Sequence, residues 1–183
     1  LHFVDHHCRL FWAVHVTHHS SPEFNLTTGF RSSVFQPVYR TAYFAPIAWL
    51  GFEPLDVLFM YAATQIYGSL IHTERIRRLG WLEHVLVTPS HHRVHHASNP
   101  RYLDKNMGMC LILWDKLFGT FQAEDDSDPP RYGLTKELPS RGPVNIVFHE
   151  WKDMLRDFWN SPLPLRRRLG HILRGPGWKP GPP

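Results

Sequence analysis

The chain has 183 residues, 43% of them hydrophobic and 20% charged, which allows one domain with a sizeable core and does not by itself declare a membrane protein. The formal charge of +4 includes the clusters Arg75, Arg77, Arg78 and Arg166, Arg167, Arg168, but neither lies in a nucleic-acid-binding module, so no nucleic-acid partner is expected. Cys8 and Cys110 are far apart and form no CxxC pair, which points to free thiols in a reducing compartment.

Residues 1–20 read as a helix, with apolar Phe3, Leu10, Phe11, Trp12 and Val14 and no Gly or Pro inside, ended by Ser20-Ser21-Pro22. Residues 22–34 are polar and loop-like. From Thr41 to Thr73 only Glu53 and Asp56 carry full charge, and Gly51-Phe52-Glu53-Pro54 marks a turn between two apolar arms. The second arm, Pro54–His72, approaches the roughly 20 residues that cross a bilayer. The first is shorter and carries Pro37, Arg40 and Pro46, as a re-entrant segment does, while a buried hairpin in a soluble domain fits the same pattern. Arg75, Arg77 and Arg78 after the second arm fit a cytoplasmic membrane face. Residues 74–96 read as one or two helices broken at Pro89, Asn99-Pro100 opens a loop, and 107–121 is apolar again. The Pro- and Gly-rich tail through Pro182-Pro183 reads as irregular.

The 14 histidines are not scattered. His2-x3-His6 is followed by His15-x2-His18-His19 and by His92-x2-His95-His96, with His72 alone after the second arm. Helical positions i, i+3 and i+4 share a face, so His15, His18 and His19 converge, as do His92, His95 and His96. Thirteen residues separate His2 from His15 and His6 from His19, which on an unbroken helix sets the first two groups about 20 Å apart. Either the chain breaks between them or each serves a different metal. His84, His149 and His171 read as structural; His7 and His91 each abut a group without fitting its face, and orienting a ligand is as good a reading as binding metal.

Neutral imidazole suits Fe, Zn, Cu and Ni. Eight or nine converging histidines match a dinuclear centre, whereas a structural zinc site closes with four ligands, usually including Cys. A zinc hydrolase and a non-catalytic metal-binding membrane protein remain alternatives, although no His-Glu-x-x-His occurs. No flavin- or nucleotide-binding GxGxxG motif is present.

The three histidine groups, with their flanks Leu10–Ser21 and Thr88–His96 and the later segments Asp104-Lys105-Asn106 and Trp114–Phe121, resemble the fatty acid hydroxylase / sterol desaturase superfamily over His2 to about Phe121. Within it the pattern is most similar to the alkylglycerol monooxygenase-like and bacterial sterol-desaturase-like branch. The resemblance implies an all-α, membrane-embedded helical bundle with a histidine-rich di-metal site on its cytosolic face, in a bacterial inner membrane or endoplasmic reticulum. It implies a catalytic domain over 1–125, a C-terminal extension over 126–183, and transmembrane helices ahead of the first motif that a fragment opening at Leu1 lacks. The implied metal ligands are His2, His6, His15, His18, His19, His72, His92, His95 and His96. The implied cofactor is two iron ions, with O2 as co-substrate, a lipid substrate (fatty acid, sterol or ether lipid) hydroxylated or desaturated, and a separate electron-donor protein. Phe3 and His7 stand where members often carry Arg and Glu, and Met107 and Met109 where Tyr and Gly are expected, which leaves the surroundings of the first motif open.

Overall fold

Two short helices, α1 (His2–His7) and α2 (Arg9–His19), open the chain and differ from the single helix expected. The computed structural model describes residues 1–181; the Pro182-Pro183 end of the expected irregular tail lies outside them. The break falls at Cys8, which is extended at φ −127° and ψ 118°. Its cause lies more than 140 residues away. The Arg9 N–H donates to the Arg174 carbonyl at 2.9 Å, and the Arg9 guanidinium pairs with Glu150 and Asp157 at 2.6 and 2.8 Å. A partly buried arginine shared between two carboxylates through charge-assisted hydrogen bonds holds geometry well. Long-range partners thus replace the helical bonds that the break removes.

Next come α3 (Leu26–Gly29), α4 (Gln36–Trp49) and α5 (Pro54–Leu70). Asn25 caps α3 reciprocally with Thr28. Gly51 takes φ 99° in the turn between α4 and α5, a conformation that glycine adopts without steric cost. The two helices form the expected apolar hairpin. Among the described residues, no helix is long and apolar enough to cross a membrane, and α5 has 17 residues.

A 3₁₀ turn, Gly80–His84, precedes α6 (Pro89–His95), where Pro89 starts a helix instead of breaking one. Then follow α7 (Leu113–Phe118), α8 (Pro143–Asn160), α9 (Leu165–Arg168) and α10 (Gly170–Leu173). Among the described residues the structure is all-helical apart from two isolated β-bridges, Leu86 with Leu111 and Ala97 with Tyr132. α8 and α10 pack against α2, and Met154 of α8 is buried.

The apolar core is small: Ile71, Val87 and Ile112 form one cluster, and Val94, Ala97 and Tyr102 another. Much of the remaining interior is polar, and histidine is its commonest residue.

Candidate metal centre

Nine histidines from four segments meet in two adjacent groups. His2, His6, His15, His19 and His95 form the first; His18, His72, His92 and His96 form the second, and within each the candidate ligand atoms lie within 4.8 Å of one another. These are the nine expected positions. The break at Cys8 folds α1 back on α2 and removes the separation of about 20 Å that a continuous helix imposes.

The two His-x2-His-His motifs are each divided between the groups. From the α2 motif, the i,i+4 pair His15 and His19 joins the first group and His18 the second. From α6 the i,i+4 pair His92 and His96 joins the second and His95 the first. Each motif thus reaches across to the other's group with its middle histidine. Stacking of His19 on His96, with ring centroids 4.3 Å apart, joins the groups.

Backbone carbonyls fix the ring orientations. Nδ1–H of His2 donates to Met107 O at 2.9 Å, His18 to Arg31 O at 3.1 Å, His72 to Gly68 O at 2.6 Å, and His95 to Lys105 O at 3.0 Å. Donating from Nδ1 leaves Nε2 of a neutral imidazole as a bare acceptor. His18 and His72 are both fixed in this way, yet their Nε2 atoms face each other at 3.2 Å. Neither has a proton to give, so no hydrogen bond can relieve the contact. A shared cation does. His72 Nε2 also lies 3.1 Å from His96 Nε2 and 3.0 Å from His92 Nε2. Nitrogens bound at about 2.1 Å stand about 3.0 Å apart at right angles and about 3.4 Å apart at tetrahedral angles, so these spacings match adjacent ligands of one ion. In the first group His15 Nε2 lies 3.1 Å from His2 Nε2 and 3.2 Å from His19 Nε2. The buried Nε2 atoms of His6 and His95 have no hydrogen-bond partner. The donor set therefore fits two metal ions.

Burial pushes His2, His6, His15, His19, His92 and His96 well below the ordinary histidine range, and their imidazole neighbours add to it. Burial likewise lowers His95, takes His18 down to about 3 and His72 to about 4. All nine imidazoles are thus neutral near pH 7, the form that binds metal.

His7 and His91 lie outside both groups. His7 stacks on Phe3 in the exposed part of α1, with Nδ1 donating to Phe3 O at 2.9 Å. His91 closes the N-terminus of α6, where its Nδ1 accepts the Thr88 N–H at 3.3 Å in a reciprocal cap. His84 sits in the exposed 3₁₀ turn.

Gly29 marks the contact of α3 with the end of α5. A Cβ there meets Ser69 Cα at 3.0 Å and His72 Nδ1 at 3.1 Å. Gly29→Ala is expected to cost about 1–3 kcal/mol through overpacking. It should also weaken metal binding by the second group, because it displaces the His72 ring; thermal unfolding with a metal titration checks both. Unchanged metal affinity in this variant is evidence against His72 as a ligand.

Sequence reasoning missed the residues that support the centre. Asp115 is 1% exposed and accepts from Met107 N at 2.6 Å and Gly108 N at 2.8 Å. Asp5, fully buried in α1, accepts from the Tyr39 hydroxyl at 3.0 Å, and burial raises its carboxyl to about 6 against the opposing pull of Arg40.

Two cavities approach the centre from different sides. A groove of about 670 Å³, whose lining includes Lys136, Asp153 and Arg156, reaches His6, His19, His95 and His96 beside α8. An apolar cavity of about 970 Å³ lies between the α4–α5 hairpin and α7, and its lining includes His2, Asp5 and Met107.

This arrangement defines a helical protein with two adjacent, buried imidazole clusters, each able to hold a metal ion. The fatty acid hydroxylase family model matches residues 1–120, and the chain belongs to that family. It is 41% identical over 183 residues to human alkylglycerol monooxygenase, covering all of this chain and 40% of that protein. It is 32% identical over 136 residues to an ornithine lipid hydroxylase of Rhizobium tropici, covering 73% of this chain and 39% of that protein. Against a Delta(7)-sterol 5(6)-desaturase of Aspergillus fumigatus identity is 24% over 169 residues, covering 79% of this chain and 51% of the relative. The chain thus spans less than half the length of the first two. No solved structure matches it.

Proposed function

We propose that the chain is the metal-binding catalytic part of a membrane-bound di-iron oxygenase that hydroxylates or desaturates a lipid C–H bond with O2. The observation that carries this reading is the facing pair of bare Nε2 atoms of His18 and His72, repeated in kind through two joined groups of neutral imidazoles. One ion is held by His2, His6, His15, His19 and His95, the other by His18, His72, His92 and His96. When bound, the two irons would supply O2 activation, in which two electrons from a donor and two from the substrate reduce O2: in hydroxylation one oxygen atom enters the C–H bond and the other leaves as water, and in desaturation both leave as water as two hydrogens are removed and a double bond forms.

The protein supplies position and dryness. Carbonyls of Met107, Lys105, Gly68 and Arg31 hold four rings in place. The apolar cavity takes the lipid chain and excludes water beside His2. Relatives that hydroxylate or desaturate lipids support this substrate class. Electrons come from a separate donor protein. A zinc hydrolase accounts for less of the site, because five imidazoles in the first group exceed the usual three protein ligands of catalytic zinc.

Membrane attachment in this reading runs through the apolar hairpin. Val38, Trp49 and Leu50 at α4, Leu55 and Phe59 of α5, and Phe118 of α7 are all at least 70% exposed, a surface that needs a lipid or protein cover. The exposed Arg75, Arg77 and Arg78 then face the cytoplasmic headgroups. Residues 1–125 form the catalytic domain, and 126–183 an extension that holds the Cys8 break through Glu150, Asp157 and Arg174.

The test is metal analysis of the protein purified in detergent without chelator, followed by lipid product analysis with and without O2. About two irons per chain and an O2-dependent hydroxylated or desaturated product are expected. Zinc alone, with no gain of activity after anaerobic Fe(II) reconstitution, overturns the reading.

A further inference from the structure

His72 follows the end of α5 and opens into residues 73–79, a strap without regular secondary structure whose side chains from Glu74 onward are exposed. Helical bonds do not fix such a strap, so its carbonyls need other partners. One side chain of α6 supplies them. The Arg93 guanidinium, buried, donates from Nη1 to Thr73 O at 3.0 Å and to Ile76 O at 2.7 Å, and from Nη2 to Arg77 O at 2.8 Å. Its Nε and Nη2 grip the Glu124 carboxylate at 2.9 and 2.7 Å. All five N–H donors of the guanidinium are thus used, three on the strap and two on Glu124. Thr73 directly follows His72, and Arg93 directly follows His92. The Nε2 atoms of those two histidines stand 3.0 Å apart. The clamp therefore closes a ring that runs from His92 through Arg93 and Thr73 to His72 and back across the second group.

We infer that Arg93 is the positioning residue of the second metal group, holding His72 beside His92 and His96. The inference rests on the reading of that group as a metal site. A guanidinium suits the task because its donors point in fixed directions within one plane. The three donors of a lysine ammonium, on a flexible stem, cannot serve three carbonyls and both carboxylate oxygens at once. Glu124 aims the guanidinium through two charge-assisted bonds, and both side chains are shielded from water. Arg78 also ties the strap to Glu124 O and Asp126, but it does so farther from His72 and in the open, where water competes. The first group does not depend on the clamp. His95 shares α6 with Arg93, yet the Lys105 carbonyl orients its ring, and the Met107 carbonyl orients His2.

Stepwise Fe(II) titration of the chelator-stripped protein under nitrogen tests this, since it reads binding and needs no turnover. Arg93→Lys keeps the charge and loses the fork, so the second ion should bind about 10–100-fold more weakly while the first is unchanged. At an Fe(II) concentration that just fills the unmodified protein, adding His15→Ala to Arg93→Lys should leave about no ion bound. Adding His72→Ala should remove no ion beyond the one that His72→Ala removes alone, because both substitutions act on one group. Glu124→Gln keeps the three carbonyl bonds and should weaken the second ion by about 3–10-fold. Equal weakening at both groups makes Arg93 a support of the fold at large and overturns the inference, as does a folded Arg93→Lys protein with unchanged affinities. If Arg93→Lys does not fold, Glu124→Gln decides: weakening confined to the second ion supports the clamp, and equal weakening or none overturns it. A His72→Ala protein that keeps both ions removes the metal reading of the second group and this inference with it. Loss of an ion in His72→Ala with none in Arg93→Lys sinks this inference alone. The expected selective loss, without any O2-dependent lipid product from the unmodified protein, sinks the oxygenase reading and leaves the clamp standing.

Discussion

His72→Ala and His15→Ala are each expected to lower metal content from about two ions per chain to about one, and the double variant to about none. His72 is the hub of the second group, with Nε2 within 3.2 Å of the Nε2 atoms of His18, His92 and His96. His15 holds the same place in the first, beside His2 and His19. Loss of a residue that merely orients a ligand typically costs 10–100-fold in metal affinity, and loss of a hub ligand should cost more, above about 100-fold. Activity should fall by about 10³-fold or more in either variant, because the two groups adjoin and the chemistry needs both. His7→Ala and His84→Ala serve as controls that should keep both ions, since neither ring belongs to a group. Metal analysis after dialysis, with circular dichroism to confirm folding, reads the outcome. A folded His72→Ala protein that retains two ions removes the second group as a metal site.

Much of the centre was legible in the residues because metal ligation imposes local spacing. His2-x3-His6 and the two His-x2-His-His motifs place rings on one helical face, and that face does turn inward in both α2 and α6. Their division between two groups was not legible. His15, His18 and His19 lie within one turn and a fraction of each other, and only packing against α1, α6 and the end of α5 decides which ring serves which group. The break at Cys8 was hidden for a related reason. Local propensity favours a continuous helix there, and the competing partners, Glu150, Asp157 and Arg174, are distant in sequence. His91 shows the converse. It sits beside a ligand motif, yet its ring caps α6 through Thr88, a role that the Thr-x-x-His spacing and Pro89 at the first turn signal in retrospect. The charged pair Asp5 and Arg40 carried no motif at all, and only the fold brings residues 35 apart in sequence to the lining of one cavity.

The loop after α6 gives the other large effect. Asp104 and Asn106 adopt φ 56° and 52°, left-handed conformations that Asp and Asn tolerate better than most side chains. Between them Lys105 offers its carbonyl to His95, and Met107 then offers its own to His2. Both rings belong to the first group, so the loop is the scaffold of one group and not of the other. Asn106 ties the loop to the chain on either side, donating to the carbonyls of His91 at 3.1 Å and Gln122 at 2.8 Å. Asp115 anchors it from α7, one oxygen accepting from Met107 N and the Thr120 hydroxyl, the other from Gly108 N. In Asp115→Asn an amide N–H₂ takes the place of one carboxylate oxygen, so at least one buried N–H or O–H then faces a donor. The expected cost is about 2–4 kcal/mol of stability, and Thr120→Val, which removes one of the three bonds, should cost about 1 kcal/mol. Metal affinity should fall by about 10–100-fold in the first group, while the second, held through Gly68 and Arg31, keeps its ion. Denaturant unfolding measures the first effect and stepwise metal titration the second. Equal loss at both groups makes Asp115 a support of the fold at large, and an unchanged midpoint shows that its three bonds contribute nothing; only selective loss at the first group bears out the scaffold role.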